Sequence, residues 1–391
     1  MKPPLPRISS FVRSIVILSV IGAAAATLAD GQVNFSTPPT YGGSGNVFVA
    51  DFNGDGKPDI LAGGTLNPGN GDGTIATGAP VKGQPLAVAD FNGDGKPDVL
   101  EQGQGTLLVL LGNGDGTSQP PIATNSGASL AVVAAADLNG DGKADVAGVF
   151  NNTLLVYLSN RDGTFAAGVP YNLGTQQGGY YMVFDDFNGD HKTDVAVFTQ
   201  GSGAGQVIVL LGNGDGTFQS TVLITTGVAA PQSIAVGDFN GDEKLDLATA
   251  ELVGSGNAQV ATVVLQLGNG DGTFQTPTAV CTGPYWGFVF GGEGLDLAAA
   301  DLNGDGKLDL VFVGNLIGIY LGNGDGTFSS APTYYQPISP TSGGIAFADF
   351  NSDGKPDVAV YGEILLGKGN GTFQGPPNCS VAQYCSGRGG G

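Results

Sequence analysis

One histidine, one tryptophan, two methionines and three cysteines are all that 391 residues offer of several side chains common in catalysis and metal or redox chemistry. No Ser/His/Asp or Cys/His set can be assembled without His191, and no phosphate-cradling glycine loop is present. Glutamate is also scarce, 5 residues against 30 aspartates. Solvated helices use Glu freely, whereas Asp prefers turns and metal loops. With 69 glycines and 22 prolines added, a mostly helical protein is excluded. Basic residues number 14 against 35 acidic ones, and the formal charge of −21 would repel a nucleic acid. The cysteines give little: Cys379 and Cys385 lie close together near the end, Cys281 far away. A Cys379–Cys385 bridge is the simplest pairing and suits an oxidising compartment, though spacing does not fix it.

Long apolar runs are missing too, with one exception. Ile15 to Ala26 follows Lys2, Arg7 and Arg13 and ends in small residues, with Ala23–Ala26 or Thr27-Leu28-Ala29 as cleavage sites. Residues 1–29 therefore have the layout of a secretory signal peptide; the run falls short of the ~20 residues that span a bilayer, which disfavours an uncleaved anchor. The expected location is outside the cell, at its surface or in a periplasm, with no membrane span in the mature chain.

What the sequence has instead is repetition. The pattern D-[FL]-N-[GS]-D-x-K-x-D occurs seven times, at separations of 39, 47, 49, 52, 63 and 48 residues. Its positions 1, 3, 5, 7 and 9 are Asp51, Asn53, Asp55, Lys57 and Asp59, then Asp90, Asn92, Asp94, Lys96 and Asp98, then Asp137, Asn139, Asp141, Lys143 and Asp145. They continue as Asp186, Asn188, Asp190, Lys192 and Asp194, and as Asp238, Asn240, Asp242, Lys244 and Asp246. Asp301, Asn303, Asp305, Lys307 and Asp309, and finally Asp349, Asn351, Asp353, Lys355 and Asp357, complete the set. A glycine-rich turn follows each copy, clearest at Gly112–Thr117, Gly212–Phe218, Gly268–Phe274 and Gly322–Phe328, weaker at Asn70–Thr74, Ser159–Phe165 and Gly367–Phe373.

Short β-branched runs such as Asp194–Phe198 and Gln206–Leu211 lie between the loops and read as strands covered on both faces. Four strands per repeat, repeated radially, predict an all-β seven-bladed propeller of four-stranded blades over residues 30–376. Gly31–Tyr41 resembles Gly326–Tyr335, so Asn34–Tyr41 is expected to pair with the last blade and close the ring; Gly371–Pro377 is the rival candidate. Residues 377–391 carry no strand pattern and read as a disordered tail.

The acidic loops present oxygens at every second position, as a hard cation taking six to eight oxygens needs. The Asp and Asn side chains and the Lys carbonyl are the candidate ligands, giving up to seven structural Ca²⁺ ions. The rival is an EF-hand, which needs a carboxylate at position 12. Those positions are Ala62, Glu101, Gly148, Val197, Thr249, Phe312 and Val360, so only one fits. Uncompensated, the three aspartates of each loop would repel one another. Seven calcium ions would bring the formal charge from −21 to −7, and to −10 once the leader's three basic residues are removed. His191 and Glu243 replace glycine at position 6 and Ser352 replaces it at position 4, where a left-handed backbone is expected; the fourth and fifth loops are expected to bind more weakly.

D-F-N-G-D-G-K-P-D followed by L-G-N-G-D-G-T-F resembles the FG-GAP / VCBS repeat of integrin α propellers and many exported bacterial proteins, over about Gln32 to Pro376. That resemblance implies a propeller and calcium in the loops at the positions named above; it is much less specific for function, since such repeats occur in adhesion proteins, lectins and propeller domains attached to enzymes. Outside loops and turns only Asp30, Asp185, Asp296, Glu101, Glu251, Glu293 and Glu363 remain as acids. The reading is thus a non-enzymatic module for protein interaction or adhesion, with a glycan-binding lectin as one alternative and a lyase using Tyr or Lys as another. One insertion stands out: 27 residues separate Phe274 from Asp301 where comparable stretches take 20 or 21. Its Tyr285, Trp286 and Phe288 could stack on a sugar or a protein partner, or plug a blade edge.

Overall fold

The computed structural model describes residues 46–81, 83–174, 180–199, 204–229, 231–253, 260–284, 295–313, 316–330, 334–335, 344–360 and 362–374. All regular structure among them is strand and turn. The strands form seven antiparallel sheets in chain order, spanning 47–80, 85–125, 132–172, 180–229, 231–284, 296–335 and 346–365. Five sheets have four strands, the sixth adds a short fifth (Tyr334–Tyr335), and the seventh has three among the described residues. This is the seven-bladed propeller that the repeat count predicts.

The second strand of every blade begins on the ninth residue of its acidic loop, as in Asp59–Ala62, Asp98–Gln102 and Asp194–Thr199. That aspartate pairs across the sheet with the residue preceding the loop, for example Ala50 with Asp59 and Ala300 with Asp309. Each acidic loop is therefore the hairpin between strands one and two. The runs that follow, Asp-Ile-Leu-Ala in the first blade and Asp-Val-Ala-Val in the seventh, are buried on both faces because neighbouring blades cover them. Outer strands change character: Val169–Asn172 and Ala79–Pro80 are largely exposed.

Apolar clusters fill all seven junctions. Val88, Val99 and Leu110 join Phe48 and Leu61 between the first two blades, and Leu107 and Val109 meet Val133 and Val146 at the next. The largest cluster links blades three, four and five through Val149, Phe198 and Leu247. Further clusters join blades five and six and blades six and seven. Val47, Val49 and Ile60 pack on Ala346, Phe350 and Ile364, which closes the ring between the seventh blade and the first. A blade buries both faces only by having neighbours, so closure removes two otherwise exposed faces.

The leader, the closing strand expected at Asn34–Tyr41, residues 375–377 of its rival, Cys379, Cys385, and Tyr285, Trp286 and Phe288 all lie outside the described residues. Phe373 of the rival segment bridges back to Gly367 within its own turn. No described helix is long and apolar enough to cross a membrane.

Candidate metal centres

Each acidic loop curls around its own first aspartate. In the first loop the Asp51 Oδ1 accepts the N–H groups of Gly54 (2.7 Å) and Asp55 (3.1 Å), and Oδ2 accepts that of Gly56 (2.8 Å). Asn53 Oδ1 takes the Asp55 N–H and Asp55 Oδ1 takes the Lys57 N–H, at 2.9 and 3.0 Å. The same bonds recur in the other loops, for instance around Asp90, Asp238 and Asp301. Asx turns of this kind are what alternating Asp and Asn favour locally. Left-handed backbone is required at positions 4 and 6. His191 and Glu243 adopt φ of +64° and Ser352 +60°, as their sequence positions predict.

The ninth residue has a second job. All seven of these aspartates are buried to 0% exposure, and each carboxylate oxygen accepts a backbone N–H. Asp59 takes Phe52 N–H at 3.0 Å and Gly69 N–H at 2.9 Å; Asp194 takes Phe187 at 3.0 Å and Gly212 at 2.7 Å. One bond holds the acidic loop and the other holds the glycine turn of the same blade. Burial pushes Asp59, Asp98, Asp145, Asp194, Asp246 and Asp309 up to about 6 and Asp357 up to about 7. The two N–H bonds offset part of that rise, while the first and fifth aspartates of the loop add to it.

The glycine turn completes the arrangement across the junction. Gly116 N–H of the second turn donates to Phe52 O of the first loop at 2.9 Å. Gly216, Gly272, Gly326 and Gly371 donate likewise to Leu138, Phe187, Phe239 and Leu302, and Gly73 donates to Phe350 across the closure. In the third turn the Ser159 hydroxyl serves Phe91 O at 2.6 Å. Residue 2 of each loop is thereby tied to its own blade through N–H and to the next blade through C=O.

The donor set is all oxygen, which suits a hard divalent cation and not zinc. Three side chains and one carbonyl per loop stand at the hairpin that the fold exposes. In the seven loops the lysine ammonium leans on the fifth aspartate, at 3.6 Å for Lys57 and Asp55. Among the described residues no three Asp, Glu, His or Cys side chains converge on their own, so Asn and the backbone carbonyl are needed to complete any site. The residue types therefore fit calcium, although the ninth aspartate, buried with both oxygens accepting backbone N–H groups, would have to share those oxygens with the ion. His191 points to solvent with its side chain 84% exposed, its Nδ1 3.7 Å from Asp186, and has no catalytic partner there.

Sequence reasoning found the loops but missed the clasp between turn and neighbouring loop. The strict alternation of the two motifs was the signal for it.

Solved structures of several known proteins align with this chain. A lectin of Agrocybe aegerita, solved to explain specific recognition of non-reducing terminal N-acetylglucosamine, aligns at 25% identity and a TM-score of 0.56, covering 74% of this chain and 79% of that one. The Vibrio cholerae biofilm matrix protein Bap1 aligns at 11% and 0.38, covering 94% and 90%. A Bacillus licheniformis rhamnogalacturonan lyase aligns at 16% and 0.36, covering 86% and 71%. No curated protein sequence matches this one. The FG-GAP-like repeat profile matches residues 90–148, 137–197, 186–249, 250–312 and 301–360, windows that each end at or near the second strand of the next blade. With most of its length so matched and seven blades in place, the chain belongs to the FG-GAP-like repeat family.

Proposed function

We propose that this protein is an exported binding module whose propeller is braced by calcium in its acidic loops. The observation that carries this is the sevenfold recurrence of one arrangement: an oxygen-only loop, a buried ninth aspartate and a clasp onto the next blade. In the first loop, a cation held by Asp51, Asn53, Asp55 and the Lys57 carbonyl would neutralise the carboxylates that otherwise repel at close range. The corresponding residues would do the same in the other six. The cation would also fix residue 2 of the loop, and so both hydrogen bonds that residue makes. Calcium acts here on rigidity, and the rim loops are left to bind.

Titration of metal-stripped protein with Ca²⁺ in a calorimeter is expected to show several sites per chain, and melting should shift upward on reloading. A flat titration together with an unchanged melt would remove the calcium reading. Mass spectrometry of the secreted protein checks export: the mature chain should start after residue 26 or 29.

For the partner, protein interaction or adhesion is the first reading, because a rigid ring presents many rim loops at once. A glycan is the second, favoured by the similarity to the Agrocybe aegerita lectin. An array containing glycans with terminal N-acetylglucosamine separates them. Selective signals competed by free sugar support the lectin; a blank array together with saturable binding to a protein ligand supports adhesion. Catalysis is the weakest reading, since the single histidine is exposed in a loop.

A further inference from the structure

Six of the seven loop lysines share one posture. Their side chains are 40–44% exposed, and the stems of Lys57, Lys96, Lys192, Lys244, Lys307 and Lys355 lie over the third residue of their own glycine turn, a glycine each time. Each ammonium leans on the fifth aspartate of its loop with water beside it. Lys143 departs from this. Its side chain is 4% exposed, and its stem lies against Gly93 of the second blade's loop, because Arg161 takes the place of the turn glycine. The next peptide is held there as well: Ala144 N–H donates to Asp90 O of the second loop at 2.9 Å. In blades one, two and seven that position is a proline (Pro58, Pro97 and Pro356), with no N–H to give.

The Lys143 ammonium pairs with Asp141, the fifth aspartate of its own loop and one of that loop's four candidate calcium ligands. A cation that takes the Asp141 carboxylate leaves a buried positive charge beside it without that partner. The other six loops avoid this cost, because their lysines can swing into solvent. We propose that Lys143 makes the third loop the weakest calcium site of the ring, by about tenfold or more, and acts as its built-in counter-ion while the other six are loaded. The proposal rests on the calcium reading above. Loops four and five carry the more conspicuous changes in sequence. Yet His191 and Glu243 each donate a backbone N–H to the first aspartate at 2.8 Å, as Gly56 and Gly306 do, so those cradles are intact.

Calorimetric titration of the metal-stripped full chain with Ca²⁺ tests this. The wild type is expected to fill one site at about tenfold or higher calcium than the rest, and Asp141→Asn should delete that late step alone. Lys143→Met keeps the backbone carbonyl as a ligand and removes the charge, so the late site should join the others. Lys57→Met, at an exposed lysine, should move no site by more than about threefold. If K143M does not fold, Arg161→Gly reopens the turn seat and should strengthen the same site. Sites that all fill alike in the wild type, a late step that survives D141N, or one that neither K143M nor R161G moves, overturns the proposal and leaves the calcium reading standing. No calcium bound at all removes that reading, and this inference with it.

Discussion

Glu251 is the residue where burial and charge conflict most. It lies on the second strand of the fifth blade with 0% exposure; one carboxylate oxygen accepts the Thr249 hydroxyl at 3.2 Å and the other has no hydrogen-bond partner. Burial pushes its carboxyl up to about 7, well above the ordinary 4.5. A raised carboxyl favours the folded state only while protonated, so this stabilisation is complete below about pH 4.5 and is lost as pH rises through 7. Glu251→Gln removes the titration. Denaturant melts should therefore show the variant gaining on the wild type by about 1–3 kcal/mol between pH 5 and 8; a constant difference across that range would contradict the assignment. In the sequence Glu251 was a leftover acid, because Leu247, Thr249 and Glu251 alternate like the half-wet face of an ordinary strand. Only the fourth blade, packed against that face, makes it interior. The ninth aspartates were half legible for a similar reason. Their spacing marks them as loop residues, but the glycine-turn N–H they accept comes 10 residues later in the first blade and 22 later in the fifth. A partner at no fixed distance leaves no motif to read.

At the scale of elements, the glycine turn explains an apparent irregularity. Its first glycine approaches the carbonyl before the ninth aspartate so closely that a Cβ on Gly212 would lie 2.1 Å from Thr193 O. Gly212→Ala must push two backbones apart and is expected to cost at least about 1–3 kcal/mol in a urea melt. Its third residue is a glycine in six blades, and the stem of the same blade's lysine lies over it, as Lys96 does over Gly114. The third blade has Arg161 there at a φ of +74°. A side chain at that point denies Lys143 the usual seat, and Lys143 is instead 4% exposed against Gly93 of the second blade's loop, paired with Asp141. Arg161→Gly relieves the left-handed backbone and reopens the seat, so it should stabilise by about 1 kcal/mol. A loss of stability would show that the displaced lysine is worth more where it is. The strand order and blade count were plain in the sequence because loops and turns alternate without exception. The junction contacts were not, since they join motifs of different repeats and depend on single substitutions such as Arg161.

The whole molecule multiplies one local balance by seven. Each ninth aspartate is raised to about 6 or 7 by burial and by two carboxylates of its own loop, so the metal-free ring carries seven sites that favour protonation. The ordinary carboxyl near 3.8 lies below these values, so the folded state binds more protons than the unfolded one between about pH 4 and 6. Metal-stripped protein should therefore lose stability as pH rises from about 4 towards 7. A cation in the loops reverses the sign, because it needs the carboxylates ionised and protons compete with it. Calcium-loaded protein should gain stability over the same interval. The two melting curves, recorded by scanning fluorimetry at about pH 5 and 7.5, are expected to diverge as pH rises, with the larger gap at the higher pH. Blades seven and one share the packing and the single clasp of the other junctions but, unlike them, are not consecutive in the chain, so that junction is where the metal-free ring should open first. Amide exchange should be fastest there without calcium and slow to the level of the other junctions with it. Parallel pH profiles for the two forms would mean that the loops hold their shape by hydrogen bonds alone.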